Sequence, residues 1–311
     1  MDISKKPTAS YFYSIKPINI GTPMVECLNS YLKRLAEAHN VRLRTLVSHI
    51  ISLHTGKCSL PSKGFPQAQF MNHGRAGNTY YSMAPNTSII AESLELLTLQ
   101  KGFKYMTMLT WKGIIHSRGL YKSYKKWCPQ CLDEWEKDDK EIYEPYIWYL
   151  DCATVCLEHK RKLEVLCPNP ACKLEQVAIK HSRGYCYACG NWLGQREYKF
   201  SEKQYEITQR DEWMNKSIGE LLQEAPYIVP PTIEEISLML EQCVTFFFQS
   251  DPHLFCKAVG IHHMTLNAII LRRQRISLPA LLSLSAYTKT SLLKLLNLSY
   301  KNSNEQNTSC C

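Results

Sequence analysis

Four short stretches decide how this chain folds: WCPQCL (127–132), CLEH (156–159), CPNPAC (167–172) and CYACG (186–190). Each carries two metal-competent side chains a few residues apart: Cys128/Cys131, Cys156/His159, Cys167/Cys172 and Cys186/Cys189. Thiolates and imidazoles are the ligands of tetrahedral zinc, and a pair this close can bite one ion from a single tight turn. Four pairs make two four-ligand sites, so two structural Zn2+ ions are expected. Disulfides are the bland alternative, but a C-x-x-C loop suits a structural bridge poorly.

Pairing in chain order puts Cys128, Cys131, Cys156 and His159 in one site and Cys167, Cys172, Cys186 and Cys189 in the other. An interleaved cross-brace, first pair with third and second with fourth, is the rival arrangement. The insertion 132–155, with Tyr143, Tyr146, Trp148 and Tyr149, is expected to pack over the first site as a hairpin or helix. Gly190 behind Cys189 is expected to turn left-handed and aim backbone amides at the sulfurs. Cys152 stands close enough to Cys156 to compete as a ligand. With four protein ligands each, neither site keeps the open position a catalytic zinc needs. Glu158 beside His159 brings a deaminase H-x-E motif to mind, but the order is wrong. Such zincs hold together a segment too small and polar to bury its own core.

The compartment agrees with metal rather than disulfides. Met1 to Tyr13 (MDISKKPTASYFY) has no apolar run long enough for a secretory signal. No segment approaches the ~18 apolar residues of a membrane span, so no membrane partner is expected. A cytoplasmic location is expected, where thiols stay reduced. Of the 14 cysteines, Cys27, Cys58, Cys152, Cys243 and Cys256 read as small core residues, and Cys310 and Cys311 as an exposed end.

Working outward, the fold class is mainly α with small zinc-ribbon β elements. Residues 1–22 read as an extended arm and 23–120 as a helical, helix-turn-helix-like domain. The double zinc-binding module spans 121–200, and 201–299 form a C-terminal helical domain; 300–311 read as a disordered tail. In the first helix Leu28, Tyr31, Leu32, Leu35 and Ala36 share a face, and Glu26, Asn29, Lys33 and Glu37 look away from it. Further helices are expected over 43–53, over 89–97 capped by Asn86 or Thr87, and over 110–115. A loop follows over 55–66. Two more helices, 202–223 and 232–248, flank the breaker Pro230-Pro231.

The formal charge of +9 on 311 residues points to a polyanionic partner. From Lys101 to Trp127 there is no Asp or Glu, and Lys122, Lys125 and Lys126 sit among tyrosines, a composition suited to phosphate contact and stacking. A solvated connector whose aromatics dock on the zinc module is the equal alternative. Near the C-terminus, 251–284 has the form of a second helix-turn-helix, with Gly260 at the turn and 264–271 as its second helix. In that geometry His262, His263, Thr265 and Asn267 meet base edges, and Arg272, Arg273 and Arg275 face phosphates. The same packing also serves folds that contact only protein.

The stretch PMVECLNSYLKRLAEAH (23–39) resembles the opening of TniQ/TnsD proteins: a proline, then E-S-L, an aromatic, and R-L-A. WCPQCL, an aromatic-rich stretch, CLEH and the following C-P pair are similar to that family's zinc centre. Cys27 replaces a frequent serine, and CPNPAC widens the second-site spacing. The resemblance implies a non-enzymatic target-selection subunit of a TnsABC-type transposon, including CRISPR-associated ones. Its partners would be an AAA+ ATPase regulator (TnsC-like), double-stranded DNA or an RNA-guided CRISPR effector, and a second copy in a homodimer. The eight Cys/His ligands carry over by position, and Tyr11, Phe12 and Tyr13 are the candidate docking strand for the ATPase. A sequence-specific zinc-containing transcription regulator is the alternative reading, and a zinc-dependent nucleic-acid enzyme a third.

Overall fold

A computed structural model describes residues 9–55, 82–177, 183–194 and 207–296. Cys58, the loop expected after Thr55 and the tail from 300 lie outside them. Apolar residues at helical spacing build α1 (Leu28–Ala38) and α2 (Leu43–Thr55), and α2 packs on both α1 and α3 (Pro85–Thr98). Helix α3 begins earlier than expected: Ala84 takes the cap position and Pro85 the first turn, where a missing N–H costs nothing. No helix covers 110–115. That stretch holds only a 3-10 turn, Leu109–Trp111, which sinks Trp111 into the core.

Helix α4 (Pro129–Lys137) starts on the first cysteine knuckle, and Tyr146–Tyr149 form a second 3-10 turn. The insertion 132–155 is therefore helix and buried aromatic turn rather than hairpin: Trp135 stacks on Tyr143 and Trp148. Between them run isolated antiparallel bridges, Tyr121 to Leu150, Trp127 to Glu164, Leu166 to Glu175 and Tyr185 to Trp192. The β content expected of zinc ribbons is reduced to these bridges.

The C-terminal helices are α5 (Gln209–Glu224), α6 (Ile233–Phe247), α7 (Pro252–Val259), α8 (His263–Ile270) and α9 (Leu278–Thr288). Thr208 with Asp211, and Thr232 with Glu235, form reciprocal capping boxes that satisfy the first orphan N–H groups of α5 and α6. Helix α9 packs on α5 and α7, and α8 packs on α6 and α7. Gly219 lets α5 come close: a Cβ there would meet Leu157 at 2.8 Å and Pro23 at 3.1 Å. The Asn215 side chain accepts from the Thr154 and Val155 N–H groups, fastening α5 to the metal region. One apolar core runs from Phe12 to Leu296 through all these elements.

Of the polar face assigned to α1, only Glu37 is at the surface. Glu26, Asn29 and Lys33 are buried, because the metal region covers that side of the helix. Lys33 reaches Glu144 at 2.8 Å, and Lys125 and Tyr149 also hydrogen-bond its carboxylate. Burial alone would raise the Glu144 carboxyl, but Lys125 and Lys33 hold it well below the usual carboxylate range. Arg34 pairs with Glu26 at 2.8 Å, yet burial still pushes Glu26 up to about 7.

Glu144→Gln strands two buried ammonium groups, so it is expected to cost about 3–5 kcal/mol in urea denaturation. A carboxyl depressed on folding stabilises above its unfolded pKa of ~4.3, and that stability is lost as pH falls through the folded value. The gap between wild type and Glu144→Gln should therefore stay constant at neutral pH and narrow only in acid.

Candidate metal centres and helix-turn-helix

The eight ligands form two clusters in chain order, and within each the ligand atoms lie within 4.8 Å of one another. In the first, Cys131 Sγ is 3.6 Å from Cys156 Sγ, and His159 Nδ1 is 3.5, 3.2 and 3.6 Å from Cys128, Cys131 and Cys156. In the second, Cys167 to Cys189 is 3.6 Å and Cys172 to Cys186 is 3.8 Å. Ligands about 2.3 Å from a tetrahedral ion stand roughly 3.5–3.8 Å apart, whereas disulfide sulfurs are ~2.05 Å apart. Both clusters have the spacing of a metal tetrahedron, and the interleaved pairing is excluded. Cys152 belongs to neither cluster; burial pushes its thiol up to about 12.

Three of the four pairs share one backbone device. The residue after the second ligand turns left-handed: Lys160 (φ 46°), Lys173 (φ 48°) and Gly190 (φ 73°). This turn carries N–H groups to sulfur, from His159 to Cys156 and from Ala188 to Cys186. Although burial opposes it, the Cys189 and Ala188 amides and the Gln176 side chain hold the Cys186 thiol down at about 6. The remaining pair, Cys128/Cys131, is held instead by the start of α4.

Two supporting residues have no motif of their own. Glu134, one turn beyond Cys131 on α4, accepts from His159 Nε2 at 2.9 Å, which leaves Nδ1 facing the sulfurs. A carboxylate behind a ligating histidine fixes its tautomer and raises its basicity. Asp133 accepts from the Trp192 indole at 2.8 Å, and Trp127 Nε1 donates to the Leu193 carbonyl at 2.9 Å. These bonds hold the two clusters in one module. An i,i+3 carboxylate after the second cysteine was the available signal.

The basic stretch divides. Lys125 and Lys126 are buried and are not phosphate ligands: Lys125 is paired with Glu144, and Lys126 donates to the carbonyls of Leu150, Asp151 and Ala153. Burial lowers the Lys126 pKa to about 8. Lys122 is half exposed and lies 3.4 Å from Asp151. In the arm, Phe12 is buried against His39 and His49, so it is not a free docking residue. Tyr11 and Tyr13 remain 46% and 60% exposed.

The second helix-turn-helix is α7, a left-handed Gly260 (φ 77°) and α8. His262 has a structural role: its ring accepts from the Met264 N–H and caps α8. His263 stacks on His253, 5.4 Å between rings. Asn267 is exposed on α8. Thr265, Arg272, Arg273 and Arg275 line an open cleft of about 570 Å³.

These features define a helical protein braced by a double Cys/His metal module, with a helix-turn-helix beyond it. The TniQ family model matches residues 17–163, from the arm through α4 and all of the first cluster. The chain therefore carries a TniQ domain over just under half of its length, which supports a role associated with DNA transposition. No curated protein matches it. The second cluster and α5–α9 lie beyond the matched stretch. Among the described residues no helix is long and apolar enough to cross a membrane.

Glu134→Gln is expected to weaken metal binding at the first cluster about 10–100-fold and leave the second unchanged. Cys189 is exposed and Cys172 half-buried, whereas every cysteine of the first cluster is buried. A chelator titration followed with a metal-sensitive dye should therefore empty the second cluster first. One metal per chain in the purified protein would contradict the two-cluster arrangement.

Proposed function

We propose that this protein is a non-enzymatic target-selection adaptor for DNA transposition. Its two clusters each hold a structural Zn2+: thiolate and imidazole donors at tetrahedral spacing suit that ion, and four protein ligands leave no open position. It recognises its target as double-stranded DNA, as an RNA-guided effector already on DNA, or as both together. It then recruits an AAA+ regulator through the exposed arm residues Tyr11 and Tyr13. The family match over 17–163 carries this reading. Zinc fixes the shape of the module; recognition falls to α8 and the surfaces beside it.

The test is a co-purification of the full chain with the AAA+ ATPase encoded beside it, with and without duplex DNA. Capture of the ATPase that depends on Tyr11 and Tyr13 supports the adaptor. A chain that binds one DNA sequence tightly and ignores the ATPase is a transcription regulator instead, the reading that the α7–α8 geometry by itself favours. Arg272→Ala and Arg273→Ala are each expected to weaken duplex binding and to lower its salt dependence by about 0.9 in log–log slope per lost phosphate contact. Asn267→Ala should relax sequence preference and leave that slope unchanged.

A further inference from the structure

The cleft beside α8 has a second wall that comes from the TniQ domain. Ile115 and Ile276 form a parallel bridge, and the His116 N–H donates to the Ile276 carbonyl at 2.8 Å. The His116 ring in turn accepts from the Arg118 N–H at 2.8 Å, closing a tight turn. This turn brings Arg118 into the same cleft as Arg272, Arg273 and Arg275, whose lining also includes Ile233, Ile261 and Ile269. No carboxylate lines the cleft. None of the four arginines forms an ion pair with a described residue, and all four are exposed.

Four guanidinium groups converging without a carboxylate repel one another, and the arrangement calls for an anion. Guanidinium forks match phosphate oxygens bidentately, and an apolar lining suits the sugar edge between phosphates. Position selects the anion further. Thr265, Ile269 and Arg272 follow one flank of α8, while Met264, Asn267 and Leu271 stand exposed on the adjoining one. A duplex that takes the exposed flank into its major groove runs one sugar–phosphate strand alongside the helix. Thr265 and Ile269 put the cleft on that side of α8.

We propose that the TniQ domain and the helix-turn-helix together form a phosphodiester-binding cleft, with Arg118 gripping the DNA backbone alongside Arg272, Arg273 and Arg275. The proposal rests on the reading that α8 meets duplex DNA, and it adds that the TniQ domain touches the same duplex. DNA thereby bridges two parts of the chain that lie on either side of the metal module in sequence.

The experiment measures binding of the full-length, metal-loaded chain to a mixed-sequence DNA duplex across a salt series. Arg118→Ala is expected to reduce the log–log slope by about 0.9 and weaken binding several-fold at low salt, equally for all sequences. Arg118→Lys, which keeps the charge, should restore most of the slope. Arg118 is exposed, so thermal melting and metal content should match wild type. A slope unchanged in Arg118→Ala but reduced in Arg273→Ala overturns the shared cleft and leaves the α8 reading intact. A wild-type chain without salt-dependent duplex binding overturns both. Arg118-dependent capture of a poly-glutamate peptide in place of duplex would overturn the proposal in favour of an acidic protein partner.

Discussion

The Glu144 carboxylate is the point on which the rest of the molecule turns. It is buried, and it receives Lys33 from α1, Lys125 from the segment leading to the first cysteine, and Tyr149 from the aromatic turn. Its own backbone joins in: the Ser30 hydroxyl accepts from the Glu144 N–H, and the Glu144 carbonyl accepts from the Cys27 N–H. Two positive charges on one buried negative charge cannot be rearranged piecemeal, because releasing either partner leaves a charge without water. Such a network selects one docking of α1 on the metal region. An apolar patch would tolerate several.

The metal clusters complete the constraint from the other side. Among the described residues of 121–194 the backbone pairing is limited to single bridges, so the segment's shape depends on cross-links. Each cluster fastens two distant turns, and the Trp192–Asp133 and Trp127–Leu193 hydrogen bonds join one cluster to the other. Arg183 extends the same framework outward to Glu37 at the end of α1 and to Glu141. The left-handed turns at Lys160 and Lys173 show how strongly ligation dictates the backbone. A lysine in that conformation costs on the order of 1 kcal/mol relative to glycine, and the knuckle imposes it nonetheless.

What was legible in the sequence is what depends on local chemistry. Ligand pairing and the turn glycine Gly260 are short-range patterns, and each appears where the residues place it, whereas the cap expected at Asn86 or Thr87 falls instead on Ala84. What was not legible depends on partners far away in the chain. Periodicity alone puts Lys33 and Asn29 on a solvent face, and only Glu144, more than a hundred residues on, reverses that. Lys125 and Lys126 read as phosphate ligands for the same reason: composition counts charges but not the carboxylate and carbonyls that take them up. The 110–115 stretch has helical apolar spacing, yet burying Trp111 and pairing Ile115 with Ile276 serve it better.

The end of α8 has a backbone conformation set by its own hydrogen bonds. Arg272 N–H bonds to the Ile269 carbonyl and Arg273 N–H to the Ala268 carbonyl, the paired bonds of a Schellman ending. That ending favours glycine at its left-handed position, and Arg272 occupies it with φ 60°. The paired backbone bonds offset that strain, and the Arg272 side chain is left exposed in the open cleft. The turn fans Arg272, Arg273 and Arg275 toward the His116–Arg118 turn, whose position is set by the Ile115–Ile276 bridge. The two walls come from segments before and after the metal module, and the Ile115–Ile276 bridge joins them directly.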